Sequence, residues 1–234
     1  MSRTVLFVVV LGVAVPPGLA QAGGCMAFFD QGEFRDFNKG QGKSLDGIET
    51  FEESNIPPQG KIPLPAPLDQ NPNTFAGLGF PSGLKQQHIA IWDNVTQGPN
   101  PPGLNPSGNM FALYVVGVGF LDAKSNKVGS DLFLFDIQAS LDLVFSNSSD
   151  VTPRYTGVGF ELSWFRGYGG GDWDVSIYNG QGATIGEFQF QEEQDPEPQT
   201  TFFGVWCGEG IGRINIYDNA GPVPDAIVNI EMWL

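Results

Sequence analysis

In the C-terminal third of the chain, apolar residues take every second position. Val158, Phe160, Leu162 and Trp164 do so, and Trp173, Val175 and Ile177 do so again after Gly169-Gly170-Gly171. Successive side chains of an extended strand point to opposite faces, so this alternation predicts half-buried strands. Asn179-Gly180-Gln181-Gly182 reads as a tight turn, with Ala183–Phe190 as the returning arm of a hairpin. Phe202–Trp206 and Ile211–Tyr217 are two further strands around a turn at Gly208-Glu209-Gly210. Ala226–Trp233 closes the chain, with strict alternation setting Ile227, Asn229, Glu231 and Trp233 against Val228, Ile230 and Met232.

Upstream the pattern is sparser. Residues 23–47 are polar and glycine-rich with scattered Phe28, Phe29, Phe34 and Phe37, which predicts an irregular segment; Ile48–Glu52 alternates and predicts the first strand. Ile56–Phe80 carries Pro57, Pro58, Pro63, Pro65, Pro67 and Pro72, which excludes a helix or a central strand and predicts a long surface loop. His88–Trp92 reads as a short strand and Gln97–Gly108 as a loop. Met110–Phe120 is a near-continuous apolar run, rich in β-branched and aromatic residues, that reads as a buried strand with Gly117 and Gly119 marking a bulge or a close backbone approach. In Asp131–Phe145, Leu132, Phe135, Ala139 and Leu143 fit a helical period, but the step of two through Leu141, Leu143 and Phe145 favours two short strands. Many short strands with glycine and proline turns predict an all-β fold, a single jelly-roll-like antiparallel β-sandwich over residues 48–234.

The first 22 residues stand apart from this pattern. Arg3, the apolar run Val5–Val15 and Ala20-Gln21-Ala22 form the basic, apolar and small-x-small parts of a secretory signal peptide, cleaved after Ala22. The apolar run is too short for a transmembrane anchor. The expected location is therefore secreted or periplasmic, with a lipoprotein acylated at Cys25 as the alternative.

Removal of 1–22 takes away one positive charge, Arg3, and moves the formal net charge from −15 to −16. Such a balance repels phosphate backbones, so nucleic acid is not an expected partner. In an oxidising compartment the two cysteines, Cys25 and Cys207, either pair or remain as a buried thiol and an exposed or acylated one.

The phrases VGFELSW, WDVSIYNGQGATIGEFQF, TFFGVWCGEGIGRINIYD and PDAIVNI between Val158 and Ile230 resemble the β-sandwich domain of exported bacterial proteins of the PEP-CTERM-sorted type, which are similar to galactose-binding-like jelly rolls. Two departures stand out. The chain reads Trp233-Leu234 at its end, without the sorting tail, and Val228-Asn229 where such proteins often have Asp-Asn. The resemblance implies one structural calcium where the first and last strands meet, which points to Glu49, Glu52, Asp225 and Glu231, against the alternative of exposed acids balanced by counterions.

Catalytic signatures are scarce. A Ser-His-Asp or Cys-His arrangement needs a placed histidine, and the one histidine, His88, opens an apolar strand. One His and two distant Cys do not suit zinc. Glu161, Asp172, Asp174 and Glu187 could supply a glycosidase acid and base, or could be solvent-facing strand residues. Asn94 and Asn147 match the glycosylation sequon and read as loop residues. Sugars stack on flat aromatics while their hydroxyls take amides and charged groups. Trp164, Arg166, Tyr168, Asp172 and Trp173 gather such groups around one glycine-rich loop, the alternative being that Trp164 and Trp173 are core residues. The function expected is a non-catalytic exported binding or surface-associated module for glycan or extracellular matrix. The alternatives are a polysaccharide hydrolase and a purely structural matrix protein.

Overall fold

The alternating segments of the C-terminal third are strands in the computed structural model, which describes residues 19–50, 61–65, 68–69, 84, 86, 88–93, 110–115, 132–136, 140–145, 155–163, 172–191, 200–218 and 225–234. Among them the elements run β1 (Leu19–Ala22), β2 (Cys25–Phe28), α1 (Gln31–Gly40), β3 (Leu45–Glu49), β4 (Lys61–Pro65), β5 (Ala90–Asp93), β6 (Met110–Val115), β7 (Leu132–Asp136), β8 (Ser140–Val144), β9 (Tyr155–Ser163), β10 (Asp172–Tyr178), β11 (Thr184–Gln191), β12 (Thr200–Ile211), β13 (Arg213–Asp218) and β14 (Asp225–Trp233). They form two antiparallel sheets. A nine-stranded sheet has the order β1-β2-β12-β9-β14-β7-β6-β4, with β3 also paired to β14, and a five-stranded sheet has the order β11-β10-β13-β8-β5.

The sheets pack face to face through the residues whose alternation predicted them. Val158, Phe160 and Leu162 of β9, Phe203 and Val205 of β12, and Ile230 and Met232 of β14 share one apolar cluster with residues of the five-stranded sheet. Those are Trp173, Val175 and Ile177 of β10, Phe188 and Phe190 of β11, and Ile214 and Ile216 of β13. Phe203 is a hub: Phe190 stacks on its ring at 5.3 Å, and Phe188 and Phe29 present edges to it. This is an all-β sandwich, held by burial of apolar area at roughly 25 cal/mol per Å².

Residues 23–47 are regular, contrary to the expectation of an irregular segment. Asp30 caps α1, its Oδ1 accepting from Glu33 N at 2.9 Å, with Glu33 in the first turn and Lys39 in the last, where each complements the helix dipole. The chain leaves the helix through Gln41 N→Phe37 O at 3.0 Å and Gly42 at φ 73°. Phe34, Phe37 and Asn38, three and four apart, form the buried stripe. A ten-residue helix with so few apolar positions is marginal alone, and the sheet beneath it supplies the stability.

The helix lies on the outer face of the nine-stranded sheet over a strip of glycines. A Cβ on Gly157 would meet Asn38 Oδ1 at 2.2 Å, and one on Gly204 would meet the Phe34 ring at 2.7 Å. Phe28, Phe34, Phe202 and Trp233 make a second apolar cluster there. Arg35 reaches from the helix to the fully buried Glu231, with Nε 3.1 and 3.0 Å from the two carboxylate oxygens and Nη2 2.5 Å from Oε1; Gln31 Nε2 donates to the same Oε1.

The first strand begins earlier than predicted, at Leu45, and ends at Glu49. The proline-rich stretch holds β4, which keeps to an edge because Pro63 and Pro65 have no N–H to offer a second neighbour. Gly208-Glu209-Gly210 is not a separate turn: β12 runs through it with a register shift, and the chain then passes to the other sheet at Gly212.

Strict alternation also fails in β14. Ile227, Ile230 and Met232 all face the core, three and then two apart, because Asn229 adopts φ 53° and breaks the register between Val228 and Glu231. One extra residue in a strand switches the parity of all that follow. Asparagine tolerates the left-handed region better than other non-glycine residues. Asn229→Gly should leave the urea midpoint nearly unchanged, while Asn229→Val should lower stability by roughly 1–2 kcal/mol; equal midpoints would show that the bulge tolerates any side chain.

Cys25 and Cys207 face each other in register between β2 and β12, both fully buried, and form a disulfide at a Cα separation of 4.3 Å. The bond ties residues 182 apart in sequence. It engages the sulfur that acylation of Cys25 would need. A loop of this length predicts that Cys25→Ser with Cys207→Ser lowers stability by roughly 3–5 kcal/mol, read as a shift in the urea midpoint against the oxidised protein.

Candidate functional site

With inner faces in the core and α1 on the outer face of the larger sheet, the outer face of the five-stranded sheet is left to be described. Its residues are the alternates of the core positions. In β10, Trp173, Val175 and Ile177 point inward, so Asp174, Ser176 and Tyr178 point outward. In β13, Ile214 and Ile216 leave Arg213, Asn215 and Tyr217 outward. The same parity turns Asp142 of β8, Trp92 of β5, and Glu187 and Gln189 of β11 outward.

The register then lines these residues up. Glu187 pairs with Ser176, Ser176 with Asn215, Asn215 with Asp142, and Asp142 with Trp92. One transverse row therefore crosses all five strands and ends in a half-buried indole on one side and an exposed carboxylate on the other. A parallel row holds Gln189, Asp174 and Tyr217. On the other side Tyr178 lies opposite Arg213.

Asp142, Asn215, Ser176 and Asp174 are buried, while Trp92, Tyr217 and Arg213 are half-buried and Glu187 and Gln189 exposed. Arg213 ties the row together. Its Nε lies 3.5 Å from Asp142 Oδ1, and its guanidinium sits 4.0 Å over the Tyr178 ring. Asn215 Nδ2 donates to Leu141 O at 3.5 Å. Such contacts hold polar groups in fixed orientation, which a specific site requires. The face carries three carboxylates against one guanidinium. It can donate, accept and stack, but it opposes an anionic ligand.

The residues predicted for a ligand loop are not brought together here. Trp164, Arg166 and Tyr168 lie outside the described residues, and of Asp172 the structure describes its place at the start of β10. Trp173 is 1% exposed and packs in the core, so its indole is not a stacking platform. The alternation that marked it as a strand residue also set it facing inward.

The predicted calcium ligands separate as well. Glu49 pairs with Ile230, which faces the core, whereas its neighbour Glu231 pairs with Ile48 and faces α1. Cross-strand partners share a face and successive residues do not, so the two carboxylates project from opposite sides. Glu49 Oε2 accepts from Gln86 N at 3.0 Å, and Arg35 occupies Glu231. Asp225 opens β14, and Glu52 lies outside the described residues. Among the described residues no group of three His, Cys, Asp or Glu side chains could hold a metal ion.

Of the four hydrolase candidates, Glu161 is buried on the α1 side of the larger sheet, away from the others. Asp174 and Glu187 share the outer face of the five-stranded sheet on adjacent strands. His88 sits at φ 69° in the turn before β5. No helix among the described residues is long and apolar enough to cross a membrane. No protein-family model, curated protein or solved structure matches the chain.

Burial pushes the Tyr178 phenol above its ordinary value, with Arg213 pulling in the opposite direction. The folded state thus holds this proton more tightly than the unfolded chain. The contribution is whole below the unfolded value of about 10 and is lost as pH rises through the higher folded one. Urea midpoints should therefore fall above pH ~10 more steeply in the wild type than in Tyr178→Phe. Parallel curves would show that this phenol is not held in the folded state.

Proposed function

We propose that the protein is an exported, non-catalytic β-sandwich that binds carbohydrate on the outer face of its five-stranded sheet. The observation that carries this reading is the transverse row Trp92, Asp142, Asn215, Ser176, Glu187, with Tyr217, Asp174 and Gln189 beside it. A sugar offers an apolar ring face and a rim of hydroxyls. Aromatics at the margin receive the first, and carboxylates, amides and a guanidinium receive the second. Three carboxylates, one of them balanced by Arg213, select neutral or amino-bearing sugars over uronates and sulfated chains. Export is supported by the N-terminal leader pattern and by the buried Cys25–Cys207 disulfide, which suits an oxidising compartment.

A glycan panel with neutral, amino and acidic members tests the assignment. Binding to a neutral or amino glycan should weaken at least ~10-fold in Trp92→Ala and in Gln189→Ala, about 1.4 kcal/mol, with melting temperatures of the exposed-site variant Gln189→Ala unchanged. Binding unaffected by both substitutions would remove this face from the account. A hydrolase would draw on the shared placement of Asp174 and Glu187. Release of reducing ends from a bound glycan, abolished by Glu187→Gln, would replace the binding reading with that one.

A further inference from the structure

The four outermost strand edges of the two sheets are protected in different ways. β4 ends the nine-stranded sheet with Lys61, Pro63 and Pro65, a charge and two residues lacking N–H. β5 ends the five-stranded sheet and is met by Leu68, which exchanges two hydrogen bonds of 2.9 Å with Ile91. β11, at the opposite end, receives Gly24 N on Ile185 O at 3.2 Å. Behind β1, β2 reads Cys25-Met26-Ala27-Phe28, without charge, proline or bulge. Its edge is covered by β1 in unbroken register from Leu19↔Phe28 to Ala22↔Cys25. β1 ends at Ala22, the residue after which the leader reading cuts the chain.

Resting on that reading of export, we infer that leader cleavage strips β1 from β2 and opens a strand-accepting edge. In the mature protein this edge is filled by an extended segment of small, non-acidic residues from a partner protein. The occupant's chemistry is read from the strand that fills the place in the uncut chain, Leu19-Ala20-Gln21-Ala22. The seam beside it demands small residues: Ala22 O lies 3.3 Å from where a Cβ on Gly186 would stand, and a Cβ on Gly23 would fall 2.3 Å from Ile185 O.

The demand for a non-acidic segment comes from the adjoining groove of about 650 Å³, lined by Ala22, Gly23, Asn179, Thr184, Glu187 and Glu209 among others. Cleavage adds the Gly23 ammonium to that groove, and an acidic segment would meet two carboxylates there. Loss of β1 does not release β2, because Cys25 is bonded to Cys207 and Ala27 and Phe28 are buried. The edge is therefore preorganised, and its backbone groups pair with water until another strand replaces it.

The first measurement is the N-terminal sequence of the exported protein. Gly23 as first residue is expected, and a start at or before Leu19 would retain β1 and overturn both the inference and the cleavage position it rests on, whatever the outcome of glycan binding. The second is amide exchange by NMR on dilute protein shown to be monomeric by sedimentation. The β2 amides that bond to β1 in the chain starting at Leu19 should exchange at least ~10-fold faster in the chain starting at Gly23. A peptide of residues 17–23 should restore their protection saturably with Kd below ~1 mM, and its Gln21→Glu version should bind at least ~5-fold more weakly. Unchanged exchange, or no saturable effect of the peptide, would overturn the inference with the cleavage site intact. Protection restored by protein concentration alone, with dimer formation, would assign the edge to a second copy instead.

Discussion

The seating of α1 on Gly157, Gly159 and Gly204 is the contact on which the rest of the arrangement depends. A sheet whose inner face already packs a sandwich core becomes buried on both sides only if something closes over its outer face. Here the glycine strip lets Phe34 and Asn38 approach the backbone closely enough to do so. Burial then reaches the polar groups of that face. Glu231 is fully buried and Glu161 nearly so, and a buried carboxylate is tolerated only when paired and hydrogen-bonded. Arg35 meets that condition for Glu231, in a two-pronged geometry that a lysine could not reproduce. Pairs of this kind stabilise little relative to an apolar replacement, but loss of one partner strands the other at a cost of roughly 3–5 kcal/mol. The helix, the glycines and the ion pair therefore work as one unit.

That unit sets where recognition can occur. The larger sheet spends its outer face on α1, and both inner faces are committed to the core. The outer face of the smaller sheet is the remaining broad surface among the described elements. Its polar residues are not scattered as on a solvated sheet but aligned in register, with Arg213 shared between Asp142 and Tyr178.

The fold was readable from the sequence because each strand carries its own evidence. Val158, Phe160 and Leu162 need no partner to be recognised as one face of a strand, and the asparagine-glycine turn at Asn179 needs no tertiary context. What was lost depended on single residues or on other strands. Asn229 breaks the parity of β14 through its backbone conformation, which composition does not reveal. Asp30 and Glu33 mark a helix start, but Gly32 and a sparse apolar stripe hid a helix that tertiary packing completes. The candidate site was the least legible part. Trp92, Asp142, Ser176, Glu187 and Asn215 come from five strands, and each alone is an ordinary polar or half-buried position. Only the register makes them neighbours. Trp173 gave the opposite error, since an aromatic beside a glycine-rich loop looks like a binding residue until parity turns it inward. The cysteines succeeded because compartment chemistry constrains two thiols without any knowledge of register.

Charge ties the two halves of the picture together. A chain of net charge −15 repels anions over its whole surface, and the larger sheet uses Arg35 internally, where it acts on Glu231 rather than on a ligand. Arg213 is likewise engaged, by Asp142. Neither guanidinium is placed to reverse the sign of the face it belongs to. Discrimination on the smaller sheet therefore works by exclusion as much as by attraction. An acidic sugar would need to displace Arg213 from Asp142 before gaining a partner, and would leave that carboxylate buried and unbalanced, whereas a neutral ring adds stacking and hydroxyl bonds without disturbing the pair. The same interaction that holds the row in place makes its ligand preference a property of the fold.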